Sequence, residues 1–209
     1  MLALPVVQVW AGVALAATAA GIGIALVRRP RAKGPIEVVA RKNPAKGTQV
    51  VWLIGTFLAI FWPVGVFVLP EYAYHWPAIP DFPSSWLLQI VGVVLGASGG
   101  ILFSRAARAL GLEMTPIIQV RQGHELMQTG PYRFIRHPVY TAIVVISLGQ
   151  TLLFLSLPLA GLTLVLLGLA MYRARLEESL LSASPVLGAT YASYMARTGR
   201  FLPRMISRR

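Results

Sequence analysis

Residues 138–172, PVYTAIVVISLGQTLLFLSLPLAGLTLVLLGLAMY, run for 35 positions without a charged side chain. As one α-helix this stretch would be roughly 52 Å long, whereas a bilayer's hydrocarbon core is ~30 Å thick. It is too long for a single crossing. Ser156-Leu157-Pro158 interrupts it, and proline breaks a helix interior. The stretch therefore reads as a tight helical hairpin. Each arm is about 25 Å long, slightly short of the core, so the membrane thins there or the ends sit shallow.

Working outward from the hairpin, residues 2–27, 50–70 and 86–103 are also free of charge. Each supplies the ~20 apolar residues that a membrane helix needs. The 19 Lys and Arg fall in three gaps, with 7 in residues 28–49, 5 in 104–137 and 7 in 173–209. Five crossings bring those three gaps to one face, which the positive-inside rule makes cytoplasmic. One crossing over 138–172 would put the basic tail on the opposite face, so the charge pattern rejects it. The amino terminus is then outside, and the carboxyl terminus inside. The first segment does not read as a cleaved signal peptide, because it is long and has no basic residue before it.

Composition narrows the class further. The 209 residues are 56% hydrophobic and 12% charged, about half the usual ~25% charged share. That is too apolar for a disordered chain. With no Cys, disulfides, thiolate metal sites and cysteine nucleophiles are excluded, and no metal site is expected. The net charge of +12 reads as topology plus attraction to lipid headgroups, not as a nucleic-acid surface. The expected architecture is all-α and polytopic, with five transmembrane helices. Residues 1–103 hold three of them and the basic cytoplasmic loop 28–49. Residues 104–209 form a catalytic region of cofactor loop, hairpin and cytoplasmic tail.

Some features read as packing. Gly92, Gly96 and Gly100 repeat every four residues and suit close helix approach. Trp10, Trp52, Trp62, Trp76 and Trp86 lie mostly near segment ends, as interfacial anchors do. Gly21-x-Gly23 follows no strand, so it is not a nucleotide fingerprint.

Three polar pieces carry the chemistry: His124-Glu125-Leu126-Met127 with Thr129-Gly130-Pro131-Tyr132, then Arg136-His137-Pro138-Val139-Tyr140, then Arg173-x-x-x-Glu177-Glu178. Gly130-Pro131 is a turn, and Pro138 suits a helix's first turn. Arg173 and Glu177, four apart, share a helix face. Together the pieces offer carboxylate, guanidinium, imidazoles and phenols around one shallow space. Such a space can hold a cofactor with an amino group, or an anionic headgroup against the Arg. Spacing alone leaves plainer readings open. Arg173 and Glu177 could be an ordinary surface pair, Arg136 and His137 headgroup-level snorkelling residues, and His124 a solvated loop residue. Tyr191 and Tyr194 would then lie on an interfacial tail helix.

The combination resembles the isoprenylcysteine carboxyl methyltransferase family, within a wider phospholipid methyltransferase-like group. His124-x-Leu126, Gly130-Pro131-Tyr132, Arg136-His137-Pro138-x-Tyr140 and Arg173-x-x-x-Glu177-Glu178 carry the resemblance, as does the tail Gly188-x-x-Tyr191-x-x-Tyr194 with Phe201-Leu202-Pro203. It covers roughly residues 108–203. It implies an integral membrane enzyme that transfers methyl groups from S-adenosylmethionine without a Rossmann domain. By motif position, cofactor contacts fall on His124, Glu125, Leu126, Met127, Tyr132, His137, Pro138, Val139 and Tyr140, with a looser correspondence at Gln119. Glu177 falls where the family holds the cofactor's amino group, and Arg173 where it faces the substrate carboxylate. The chain departs at Ala142, where the family often has Gly, and at Ser182-Ala183-Ser184-Pro185 before Gly188. The implied partner is a lipophilic acceptor entering from the bilayer. Carboxyl methylation leads, with lipid amine N-methylation and a non-catalytic membrane scaffold as rivals.

Overall fold

A computed structural model of the chain describes residues 2–27, 38–45, 47–75, 82–111, 117–121, 126–185 and 187–204. Its helices are α1 (Leu4–Val27), α2 (Thr48–Val68), α3 (Ser85–Leu110), α4 (Pro138–Phe154), α5 (Leu157–Ser182) and α6 (Gly188–Arg197). Three of them, α2, α3 and α5, are long and apolar enough to cross a membrane. Most of each crossing window stays unburied within the protein. Large side chains such as Phe57, Val94 and Leu164 stand exposed. Apolar surface on this scale is what a helix facing hydrocarbon presents.

The break at residues 155–158 has a clear local cause. Leu155 adopts a left-handed conformation with φ +48°, which ends α4. Ser156 is extended and caps α5, its hydroxyl accepting from Leu159 N. Pro158 lies in the first turn of α5, where its missing N–H costs nothing. From there α5 runs back along α4. Thr163 Oγ1 lies 2.7 Å from Ser147 Oγ and 3.0 Å from Thr151 Oγ1. These buried hydroxyls satisfy one another and the carbonyls one turn back. Both α3 and α5 continue past their apolar runs, α3 to Leu110 and α5 to Ser182. Arg173, Glu177 and Glu178 therefore stand on the continuous helix α5.

The closest helix packing is between α3 and α4. A Cβ on Gly92 would come 2.5 Å from Leu153 N, and one on Gly149 2.5 Å from Gly96 N. A Cβ on Gly99 would stand 3.2 Å from Ala142 O. The departure at Ala142, buried in this interface, is thus matched by a glycine opposite. The four-residue glycine stripe acts as packing only in part, since Cβ atoms on Gly96 and Gly100 would meet nothing within 4 Å. Buried Gln89 ties α3 to α4 and to the segment before α1, donating to Leu153 O at 2.8 Å and accepting from Leu2 N at 2.7 Å.

The all-α expectation needs one correction. A two-stranded antiparallel ribbon pairs β1 (Val38–Arg41) with β2 (Gln119–Arg121), with a bulge between Val38 and Ala40. Flanking charges and prolines hid a strand whose four residues include two valines. The ribbon joins the loop after α1 to the loop after α3. Lys42 Nζ donates to Ser179 Oγ at 2.7 Å and Ala45 N to Tyr172 Oη at 2.9 Å. The segment after β1 thus lies along the end of α5.

The glycines make a paired prediction. Gly149→Ala drives a methyl into backbone and should cost about 1–3 kcal/mol as overpacking. Gly96→Ala meets open space and gains helix propensity of about 1 kcal/mol. Thermal unfolding in detergent should show a lowered Tm for the first and an unchanged or raised one for the second.

Candidate active site

The site begins at a single 3₁₀ turn, Gly130–Arg133. Gly130 has φ +57°, a conformation that costs glycine nothing. Pro131 opens the turn and Tyr132 is buried by it. Tyr194 on α6 donates its hydroxyl to Tyr132 O at 2.6 Å. The tail then runs beside this segment. Ile135 bridges Gly199 in parallel; Arg136 N donates to Gly199 O at 2.8 Å and His137 N to Arg200 O at 3.1 Å.

These backbone bonds deliver three cations to Glu178. Arg136 Nε donates to its Oε1 at 2.9 Å, His137 Nε2 lies 3.2 Å from the same oxygen, and Arg200 engages both oxygens. Arg136 also donates to the carbonyls of Thr198 at 2.5 Å and Met195 at 3.4 Å. Arg136 is therefore half-buried and His137 buried, both held inside the protein by partners, and the snorkelling reading fails for both.

His137 also bridges the two adjacent carboxylates. Its Nδ1 stands 3.1 Å from Glu177 Oε2. Both ring nitrogens face carboxylate oxygens, which suits the doubly protonated ring. Burial pulls the imidazole down, but hydrogen bonds and charges from Glu177 and Glu178 outweigh it and raise the ring above its ordinary value. Tyr132 is held well above the usual phenol range, chiefly by burial and then by Glu177.

Glu177 is more open, with its side chain 30% exposed. Tyr140 donates its hydroxyl to Glu177 Oε1 at 2.9 Å. The Tyr140 ring stacks on His137 at 5.5 Å and meets Trp52 edge-on at 5.1 Å. One turn back on α5, Arg173 is 2% exposed. Its Nη1 donates to Gln49 Oε1, and its guanidinium lies 5.4 Å from the Trp52 ring and 6.0 Å from the Tyr140 ring. A buried cation and a part-open carboxylate thus flank one tyrosine.

The structure brings together Tyr132, His137, Tyr140, Arg173 and Glu177. Pro138 is buried and Val139 half-buried at the start of α4. Leu126 and Met127 are half-buried just upstream, Met127 Sδ accepting from Thr129 Oγ1 at 3.2 Å. Gln119 is paired with Arg41 in the ribbon. His124 and Glu125 lie outside the described residues. Among the described residues, no group of three His, Cys, Asp or Glu is placed to hold a metal ion.

Sequence reasoning missed Gln49 and Trp52 from α2, the clamp role of Glu178, and Arg200. Trp52 read as an interfacial anchor; it is instead 4% exposed, beneath Arg173. Its one signal was a glutamine three residues before it, at the mouth of an apolar run.

Comparison with known proteins agrees with the motif. Residues 90–183 match the isoprenylcysteine carboxyl methyltransferase (ICMT) family. A probable protein-S-isoprenylcysteine O-methyltransferase from Oryza sativa subsp. indica is 27% identical over 140 residues, 66% of this chain and 72% of the relative. The Homo sapiens protein-S-isoprenylcysteine O-methyltransferase is 28% identical over 61% of this chain and 44% of its own length. The fold is similar to that of the eukaryotic intramembrane Ras methyltransferase ICMT, with a TM-score of 0.53 and 20% identity over 77% of this chain. The chain spans about half of that structure, 54%. The resemblance read from the motif thus holds in the family match, in curated relatives and in fold.

Two outcomes follow from the clamp. Glu178→Ala leaves buried His137 and half-buried Arg136 without their shared carboxylate and should cost about 3–5 kcal/mol, seen as a large fall in Tm. His137, raised in the folded state, contributes stability that is complete below its unfolded value of about 6.5. That contribution is lost as pH rises through the folded value. Wild-type Tm should therefore fall over that window, and His137→Gln should abolish this component.

Proposed function

We propose that the chain is an integral membrane S-adenosylmethionine-dependent methyltransferase acting on the carboxylate of a lipophilic, isoprenylcysteine-like acceptor. The carrying observation is the pair of opposite charges on α5, Arg173 and Glu177, on either side of Tyr140. The family match and the relatives' names support the same reading.

The donor set fits the cofactor. Glu177 is held by Tyr140 and His137 yet remains part-open, so its carboxylate can take an ammonium group. Tyr132, Pro138 and Val139 are assigned to the cofactor pocket's apolar and aromatic wall. His124, Glu125, Leu126 and Met127 are assigned to the same pocket by motif position, and Gln119 more loosely. When bound, S-adenosylmethionine supplies a methyl group activated on a sulfonium centre.

Arg173 orients the acceptor. Its guanidinium is pre-organised by Gln49 and two rings, and its fork matches a carboxylate. A carboxylate with a pKa of about 4 is ionised at neutral pH, so the acceptor needs alignment and no general base. An acceptor ammonium would be repelled by the same guanidinium, which disfavours a lipid amine. In this reading the five apolar helices all cross, α4 and α5 form a short hairpin, and the amino terminus is outside. The site then opens at the cytoplasmic face, where the basic segments gather. The acceptor's chain enters from the bilayer.

Binding of S-adenosylhomocysteine to detergent-purified protein tests the cofactor. Glu177→Ala should weaken it at least about ten-fold, or ~1.4 kcal/mol. Arg173→Ala should keep that binding and lose methylation of an S-prenylated cysteine carboxylate. Absence of binding by folded wild type would overturn the enzyme reading; full turnover by Arg173→Ala would overturn the clamp.

A further inference from the structure

The tail presents apolar side chains outside the long apolar helices. Leu202 is 74% exposed, the most of any large hydrophobic side chain among the described residues, and Phe134 is 50% exposed. The two stand together. Gly199 N donates to Phe134 O at 3.1 Å, and a Cβ on Gly199 would run into Leu202 O and stand 3.1 Å from Arg204 N. Three exposed arginines belong to the same face. The Arg133 guanidinium lies 4.6 Å from the Phe134 ring. Arg204 donates to Ala196 O, and Arg197 to Gln128 Oε1. Among the described residues none of the three is paired with a carboxylate, whereas Glu178 is taken by Arg136, His137 and Arg200.

Two contacts fix the height of this face. A Cβ on Gly130 would stand 3.5 Å from the Cβ of Ala109, so the 3₁₀ turn packs on the end of α3. Ala109 is six residues, ~9 Å, past Phe103, where the charge-free run of α3 ends. A headgroup layer is about 5–8 Å deep on each side of a bilayer. On the other flank, Thr141 Oγ1 donates to Phe201 O at 3.1 Å, so the tail lies on the first turn of α4. Further along α4 the same face carries half-buried Val144 and exposed Leu148. Phe134 and Leu202 therefore stand at the edge of the hydrocarbon, with guanidinium groups beside them. Apolar side chains rimmed by unpaired cations at that depth complement acyl chains on one side and anionic headgroups on the other. We infer that this face is an anionic-lipid site: Phe134 and Leu202 insert at the headgroup–acyl boundary of the surrounding bilayer, and Arg133, Arg197 and Arg204 hold anionic phospholipid headgroups. The inference needs α3 and α4 in a bilayer and does not rest on the methyltransferase reading.

The chain has no cysteine, so Leu202→Cys can be labelled at one position, with an apolar bimane in place of the leucine. The labelled full-length protein is placed in nanodiscs of phosphatidylcholine, or of phosphatidylcholine with phosphatidylglycerol. Each disc also carries a lipid with a nitroxide at the headgroup–acyl boundary, and quenching of the bimane is read. The expected result is quenching at least about two-fold stronger with phosphatidylglycerol than without it. The difference should vanish in about 1 M salt, where the Debye length is ~3 Å. Combining Arg133→Gln, Arg197→Gln and Arg204→Gln should bring quenching in the anionic discs down to the phosphatidylcholine level. Equal quenching in the two discs overturns the inference. So does a label that aqueous acrylamide quenches and the lipid nitroxide does not, the outcome for a face turned to water or to a soluble partner. The comparison of discs needs only the label at an exposed position, so it stands even where the triple variant fails to fold.

Discussion

The Glu178 carboxylate joins three parts of the chain that are separate in sequence. It stands on α5 and takes Arg136 and His137 from the segment entering α4, and Arg200 from the tail. Arg136 in turn holds the carbonyls that end α6. Removing charges from water is expensive, and only a nearly complete set of partners offsets it. The site geometry therefore depends on this cluster being whole. Its neighbour Glu177 shares His137 but keeps an open side. Two adjacent carboxylates of one helix thus differ in their surroundings, one enclosed by cations and the other part-open.

Aromatic packing divides the remaining space. Tyr140 stacks on His137, bonds Glu177 and meets Trp52, so one ring touches both the anionic and the cationic side. Arg173 is buried, and a glutamine oxygen and two ring faces replace part of its hydration. A lysine there would lack the planar fork and the stacking.

Much of this was legible before any coordinates. Runs without charge located the apolar helices, and Ser156 with Pro158 marked the turn, since capping and proline chemistry act locally. The motif Arg136-His137-Pro138-x-Tyr140 with Arg173 and Glu177 picked out side chains that the structure brings together, because these residues are near one another in chain or share a helix face. What stayed hidden depends on distant pairing. The ribbon needs two short strands some eighty residues apart, and neither is distinctive alone. Trp52 looked like any tryptophan near a segment end until α5 was placed above it. The glycine stripe showed small residues but not which of them face a helix and which face a void.

The parallel strand pairing between Ile135 and Gly199 has a consequence for biogenesis. A chain made from its amino end inserts its helices in order, and the loop before α4 emerges long before the tail. Until Gly199 and Arg200 leave the ribosome, Arg136 and Glu178 have only part of their partners, and the carbonyl beside His137 is not yet in place. The cluster can therefore be completed only late, after α6 and the segment beyond it have been made. The helices can pack against one another first, and the cluster around Glu178 gains its last cation only when the tail folds back beside residues 135–137.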